Sequence, residues 1–489
     1  MKTRPITIAI ACLLHATVLN AADRKPNFLF IYTDDQRWDA MGVVQREQGD
    51  AARFPWLKTP HMDRLAAEGV RFRNAFVTLS LCAPSRSAFL TGRYNHNNGV
   101  IDNHTPFPVD NVSHASLMRA AGYTTAYIGK WHHGTQSGKR PGFDYSASFV
   151  GQGHYFDCPV EINGKSTPTK GWIDDVSTDY AIDFIKQHRD TPFSMILGFK
   201  SPHGPRGGEN LPERLRSLFK GEKSRPVPNL LSPAIYRTTA GQTKPRPDLT
   251  RQAAGPMVVA PHLDYMRHIA GADEGVGRIL KTLDDLELTD QTVIVFTSDN
   301  GYYLGEHGLG DKRSMYEESL RIPMLVRYPK LFPKGGTCDD MVLNIDLAPT
   351  FLDLAGVPVP DSMQGKSWVP LLTGEQVDWR KSFLAEYFFE ERFENTPTLV
   401  GIRTTRGKLV RYPGHPEWTE AFDLSADPYE TDNLIQSDTA GELSRQLKKE
   451  LNEQIKATGY HEPPGADKPG AAGATTGKKP KGGGAGKRK

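Results

Sequence analysis

Six short clusters in this 489-residue chain carry side chains that could do chemistry together. Cys82-Ala83-Pro84-Ser85-Arg86 opens a predicted helix. That helix would aim its free backbone N–H groups and positive dipole end at residue 82. Arg86 on its first turn adds a planar fork of donors for oxyanions. Asp34-Asp35 and Asp299-Asn300 are hard oxygen ligands, suited to Ca²⁺ and, as second choice, Mg²⁺, rather than zinc. Lys130 with His132, then His203 and Lys312, add cations and groups that exchange protons near neutral pH. The combination describes an anion held against a divalent metal. Each cluster alone has a blander reading. Cys82 could be a small buried hydrophobe or an ordinary thiol. Asp34-Asp35 could cap a helix, Asp-Asn-Gly is a common turn, and lysines are usually surface charges.

The elements that must position these residues argue against coincidence. Asn27–Tyr32, Val70–Phe76, Thr124–Ile128, Phe193–Phe199, Thr292–Thr297 and Ile322–Arg327 read as short apolar strands. Helical patterns lie between them. One starts at Thr59-Pro60, with Thr59 as N-cap, and ends at Gly69; another is capped by Ser113; others cover Thr178–His188, Asp264–Leu286 and Ile345–Leu354. This alternation predicts an α/β fold, a large mixed, mostly parallel sheet flanked by helices. From Phe383 onward, alternating runs at Phe383–Phe389, Val400–Thr404 and Lys408–Tyr412 predict a smaller C-terminal antiparallel sheet, followed by a helix over Ala440–Thr458. In open α/β sheets, sites form beyond the carboxyl ends of the strands. Four predicted strands run directly into Asp34-Asp35, Lys130-Trp131-His132, Ser201-Pro202-His203 and Asp299-Asn300.

The Cys82–Arg86 run, continued by Ser87-Ala88-Phe89-Leu90-Thr91-Gly92-Arg93, resembles the signature of type I sulfatases, and the resemblance extends from about Asn27 to Ile435. It implies an alkaline-phosphatase-like fold and a sulfuric ester hydrolase. In that family the cysteine is oxidised to formylglycine, whose hydrate is the nucleophile. The resemblance assigns a calcium-type metal to Asp34, Asp35, residue 82, Asp299 and Asn300. It gives catalytic roles to Cys82, Arg86, Lys130, His132, His203 and Lys312. One hydroxyl of the hydrate, activated by the metal and a base such as Asp299, would attack sulfur. His203, helped by Lys312, would protonate the departing sugar oxygen, and His132 would regenerate the aldehyde. Such a protein depends on a formylglycine-generating enzyme for maturation.

Within the family, Thr297–Gly305, Asp311-Lys312-Arg313, His154-Tyr155-Phe156, Asn344–Thr350 and Asp423–Pro428 look like the branch containing N-acetylglucosamine-6-sulfatases. Leu304–Leu309 is also similar to iduronate-2-sulfatases, and Lys130-Trp131-His132 has the general sulfatase form. The expected substrate is therefore a sulfated saccharide, with 6-O-sulfated N-acetylglucosamine first and another sugar sulfate second. A phosphoester or phosphonate hydrolase of the same superfamily is the further alternative. Loops carry substrate contacts, and His154, Arg206, His307 and Arg313 are the candidates.

Charge and composition bound the remaining possibilities. The net charge is +3, but seven basic residues and one acid fall within Pro463–Lys489, and Lys2 and Arg4 sit in the first twenty residues. The body between is mildly acidic, which gives no footprint for nucleic acid. Residues 1–22 read as a signal peptide, with Lys2 and Arg4 ahead of an apolar run too short to span a bilayer. The expectation is export to the periplasm or outside the cell (lysosomal in a eukaryote), without stable membrane insertion. The expected organisation continues with a catalytic region over 23–375, a C-terminal subdomain over 376–462 and a disordered basic tail over 463–489. Cys158 and Cys338 read as two buried thiols, with a disulfide between them as the alternative.

Overall fold

The computed structural model describes residues 25–238, 259–393, 396–436 and 441–464. The predicted signal segment and nearly all of the predicted tail lie outside these residues.

The architecture is built around β1 (Asn27–Thr33), whose residues are all buried. Alternation along the strand sends Phe28, Phe30 and Tyr32 into one apolar cluster and Leu29 and Ile31 into another. Burial on both faces stabilises each such large side chain by about 1.5–3 kcal/mol. It also explains why the strand reads as a continuous apolar run. Parallel partners flank it, β7 (Phe193–Gly198) on one side and β8 (Thr292–Ser298) on the other. Beyond β7 lie β3 (Thr124–Lys130) and β4 (Tyr145–Phe149), both parallel, then β5 (Val160–Ile162) and β6 (Lys165–Thr167) as an antiparallel edge. Beyond β8 lies β10 (Met324–Arg327), antiparallel, then β2 (Val70–Phe76) and β11 (Gly336–Leu343), with β9 (Arg321–Ile322) on the end of β2. The result is one 11-stranded mixed sheet.

Helices cover both faces. Cys82–Thr91, His114–Ala120 and Leu347–Leu354 pack with Phe28 and Phe30. Pro60–Glu68, Ile173–Gln187 and Val259–Asp285 pack with Leu29 and Ile31. A second, four-stranded antiparallel sheet follows: β12 (Ser382–Tyr387), β13 (Leu399–Thr404), β14 (Gly407–Arg411) and β15 (Glu420–Asp423). Its Leu384, Ile402 and Leu409 join the same apolar cluster as Phe28, so the two sheets share a core.

Several local expectations change. The run Ile322–Arg327 is two strands, separated at Pro323, which has no N–H to offer a ladder. The helix expected from Thr178 begins at Ile173. β5, β6 and β11 were not expected, because β5 and β6 are three residues each and β11 carries polar residues at its exposed positions. Thr59 does not cap its helix; its hydroxyl accepts from Gly42 N (2.8 Å) and donates to Asp63 (3.2 Å). Asp273, from the long helix Val259–Asp285, takes the free N–H of Met62 (2.7 Å) instead. Ser113 does cap its helix, accepting from Ser116 N. Cys82, Cys158 and Cys338 are free and buried, so Cys158 and Cys338 do not pair.

Candidate active site

The register of the central strands assembles the site. Thr33 pairs with Ser298 across β1 and β8, so Asp34-Asp35 and Asp299-Asn300 leave the sheet side by side. Asp35 turns with φ +75°, and its N–H donates to Asp299 Oδ1 (3.1 Å). Asp34, Asp35 and Asp299 are buried and each offers an oxygen within 4.8 Å of the others. Asn300 Nδ2 donates to Asp35 Oδ1 (2.7 Å), while its Oδ1 is buried with no hydrogen-bond partner among the described residues.

The helix Cys82–Thr91 delivers residue 82 to this cluster from its first position, and every residue of the helix is buried. Cys82 Sγ lies 3.5 Å from Asp34 Oδ1 and 3.2 Å from Lys312 Nζ. Burial, then the Asp34 charge, pushes the thiol up to about 12, so an unmodified Cys82 is an uncharged, poor nucleophile here. Asn103 Oδ1 accepts the helix's free Ala83 N–H (3.0 Å).

Three cations answer the three carboxylates. Arg86 bridges Asp34 (2.6 Å) and Asp299 (2.7 Å), and its remaining donors reach the carbonyls of Lys130 and Trp131. Its fork therefore holds carboxylates, where the sequence reading had it facing an oxyanion. Lys130, at the end of β3, pairs with Asp34 and donates to Gln152 Oε1 (2.6 Å). Lys312 donates to Asp35 Oδ1 (2.6 Å). Burial opposes ionisation of Asp34, but Lys130, His203, Arg86 and Lys312 outweigh it and hold the carboxyl well below its ordinary range. Asp299 goes the other way, up to about 7, from burial and then the Asp34 charge.

A cleft of about 720 Å³ opens over this floor. His132 and His203 line it, both held neutral: burial, then Lys130, pushes each well below its ordinary pKa. His132 Nδ1 is buried and has no hydrogen-bond partner among the described residues. His203 Nδ1 lies 2.7 Å from Gly204 O, so that nitrogen carries the proton. Arg206 and Arg313 also line the cleft. Arg206 stacks on Tyr302 (4.3 Å) and Tyr265 (5.0 Å), with Nη2 3.7 Å from Asp35. Arg313 pairs with Glu390 (2.6 Å) over the Phe393 ring.

The other two substrate candidates are not at the cleft. His154 is exposed. His307 is buried elsewhere, stacked on Tyr316 at 3.7 Å. Its polar sequence context misled because Gly305-Glu306-His307-Gly308 folds back under the loop instead of facing out. The sequence reading also missed Gln152, Lys200 and Glu390. Lys200 stands two residues after β7, so the strand-end rule that found His203 contained it; Gln152 and Glu390 carried no signal. Lys200 Nζ donates to Gln152 O (2.9 Å), and burial, then Lys130, lowers it to about 7.

Comparison with known proteins bears on this geometry. The Sulfatase family model matches residues 26–357, and the model for the N-sulphoglucosamine sulphohydrolase C-terminal region matches 305–457. The chain is 32% identical to an N-acetylglucosamine-6-O-sulfatase of Bacteroides thetaiotaomicron, over 93% of this chain and 92% of that one. It is 29% identical to an ulvan-active sulfatase of Formosa agariphila, over 92% and 87% of the two chains. Among solved structures, a protein in complex with its substrate D-glucosamine-2-N,6-O-disulfate superposes with a TM-score of 0.78 at 30% identity, covering 91% of this chain and 99% of that one. The matched region contains every strand end that feeds the cleft, and from this we conclude that the chain belongs to the sulfatase family and is a sulfuric ester hydrolase.

Proposed function

We propose that this sulfatase removes sulfate from a sulfated carbohydrate, with 6-O-sulfated N-acetylglucosamine or a polysaccharide unit containing it as the best match. In this reading residue 82 is oxidised to formylglycine and works beside a divalent cation, calcium first and magnesium second. The observation that carries it is the meeting of Cys82, Asp34, Asp35, Asp299 and Lys312 in one buried cluster, of which Asp35 and Lys312 line the cleft. The sugar is supported by the similarity to the N-acetylglucosamine-6-O-sulfatase and to the glucosamine-disulfate complex.

The donor set fits the cation. Asp34, Asp35, Asp299 and Asn300 would hold it through oxygen alone, and the buried, unpartnered Asn300 Oδ1 is the kind of atom a metal satisfies. When bound, the cation and the hydrated aldehyde would supply a Lewis acid and an oxygen nucleophile able to release sulfate afterwards. The chain's own residues do the rest. Asp34, Asp35 and Asp299 are already matched by Arg86, Lys130 and Lys312. A divalent cation therefore leaves a double positive charge, which suits a sulfate group gaining charge in the transition state. Lys312 stays protonated, since the Asp35 and Asp34 carboxylates outweigh the effect of its burial. His132, with a free Nδ1, is fitted to accept a proton. His203 keeps its proton on Nδ1; an incoming sulfate favours its cationic form, which can then protonate the departing sugar oxygen from Nε2.

We read the chain as exported, periplasmic or extracellular, and matured by a formylglycine-generating enzyme. The test is sulfate release from a panel of sulfated saccharides, with phosphate and phosphonate monoesters alongside, using protein produced with that enzyme. Release from 6-sulfated N-acetylglucosamine is expected. Release from another sugar alone keeps the chemistry and rejects the sugar. Preference for phosphorus esters, with formylglycine verified at position 82, rejects the reading.

A further inference from the structure

A second constellation of ligand-type side chains is buried away from the cleft, where the loop carrying Lys312 meets the small sheet. One ligand atom from each of His307, Glu318 and Glu430 lies within 4.8 Å of the other two, and all three residues are buried. Donors bonded to one ion at about 2.0–2.4 Å stand no more than about 4.8 Å apart.

The histidine is oriented as a ligand. Its Nδ1 lies 3.1 Å from Ser232 O, so the proton sits there and Nε2 presents a lone pair. The ring is fixed by its stack on Tyr316, and burial keeps it neutral, lowered to about 4. Asn229 Nδ2 spans His307 Nε2 (3.2 Å) and Glu318 Oε1 (2.7 Å). The other atoms of this pair are orphaned. Among the described residues, Glu318 Oε2 and Asn229 Oδ1 are buried without a hydrogen-bond partner, in residues 8% and 0% exposed. A carboxylate oxygen left so in a protein interior is costly unless something unseen satisfies it. Glu430 is braced from outside the cluster by Lys408 (2.7 Å) and by Glu317 N–H (2.8 Å), each oxygen keeping a lone pair. A cavity of about 480 Å³, bounded in part by His307, Glu430, Ser232 and Asn433, reaches the cluster from one side, and Glu318 lines a separate cavity of about 250 Å³.

We propose that His307, Glu318 and Glu430 bind a second divalent cation of the zinc class, with Asn229 as a further donor once its amide turns over and brings Oδ1 to the place Nδ2 now holds. One nitrogen and a small number of oxygens suit zinc, whereas calcium asks for six or more oxygens. The ion ties the segment between Tyr302 and Glu318, which carries Lys312 and Arg313, to Glu430 at the small sheet. The inference does not depend on which sulfate ester the cleft takes.

The test uses the full-length wild-type protein soaked with zinc alone, read by anomalous diffraction at the zinc edge together with metal content. The expected result is an anomalous peak bonded to His307 Nε2 and a Glu318 oxygen, apart from any peak at Asp34 and Asp299. Glu318→Gln and His307→Ala are expected to lose one equivalent of zinc while keeping any peak at Asp34 and Asp299. Absence of a peak at His307 in the wild type overturns the proposal, whether or not the variants fold. So does an unchanged zinc content in folded Glu318→Gln.

Discussion

At the scale of single residues, the site is a balance of buried charges around one thiol. Cys82 sits among Asp34, Asp299 and Lys312 in a setting that suppresses its thiolate. Activity in this reading therefore belongs to the oxidised residue. Cys82→Ala is expected to fold and to release no measurable sulfate, and peptide mass spectrometry of active wild type should show the thiol at 82 gone. Full activity with an intact thiol would overturn the mechanism. His203→Ala is expected to lower kcat about 10²–10⁴-fold, the usual worth of a positioned proton donor. Substrates with a better leaving group should suffer least, which a comparison of sugar and phenolic sulfates checks. Asp34, Asp299 and His203 were legible in the sequence because they follow strand ends, and Cys82 and Lys312 because their motifs resemble those of the sulfatase family. The carboxylate-holding role of Arg86 was not, because only the fold brings Asp34 and Asp299 to either side of its guanidinium.

At the scale of elements, two contacts hold the frame in register. Gly129 has φ +88°, and a Cβ there would stand 2.0 Å from Gly198 O on β7. Gly129→Ala is therefore expected to part β3 from β7 next to Lys130, costing well over ~1 kcal/mol. A large fall in Tm together with weaker activity is the expected outcome. The second contact is Asp273, which caps the helix Pro60–Glu68 from the long helix. Burial raises its carboxyl from the ordinary range to about 7. Between the unfolded value of about 4 and this one, the folded state holds a proton that the unfolded state has lost. Stability therefore falls as pH rises through that window, by up to about 1.4 kcal/mol per unit, and the loss is complete above about 7. Asp273→Asn, which keeps an acceptor for Met62 N–H, should flatten the dependence of Tm on pH between 4 and 7. An unchanged slope would show that other groups control it. The sequence offered Thr59 for this cap because Thr before Pro is a common start. The contact with Asp273 spans 211 residues and could not be read locally.

At the scale of the whole molecule, the small sheet braces the segment that follows the Cys82 helix from outside the central strands. Glu386 on β12 accepts from Asn95 N–H (2.7 Å) and holds His96 (2.5 Å), just after the helix that starts at Cys82. Glu386→Gln, which leaves part of this buried network unmatched, is expected to cost about 1–3 kcal/mol, read as a lowered Tm. Chelation should remove sulfate release and lower Tm. Calcium should restore both better than zinc if an all-oxygen set holds the cation. No response to chelation or to added calcium would argue against that set.

The sequence by itself determined the reaction class and the architecture. Apolar strands buried on both faces have an unmistakable pattern, and the groups that do chemistry follow them directly in the chain, as Asp34 follows β1 and Lys130 ends β3. Which loop residues reach the cleft was decided only by tertiary structure. Arg206 and Arg313 line it, whereas His154 faces solvent and His307 is buried against Tyr316. The physical reason is that a strand fixes its ends through hydrogen bonds to its neighbours. A loop is fixed by distant partners, such as Glu390 for Arg313 and Ser232 for His307, and nothing local in the sequence encodes them.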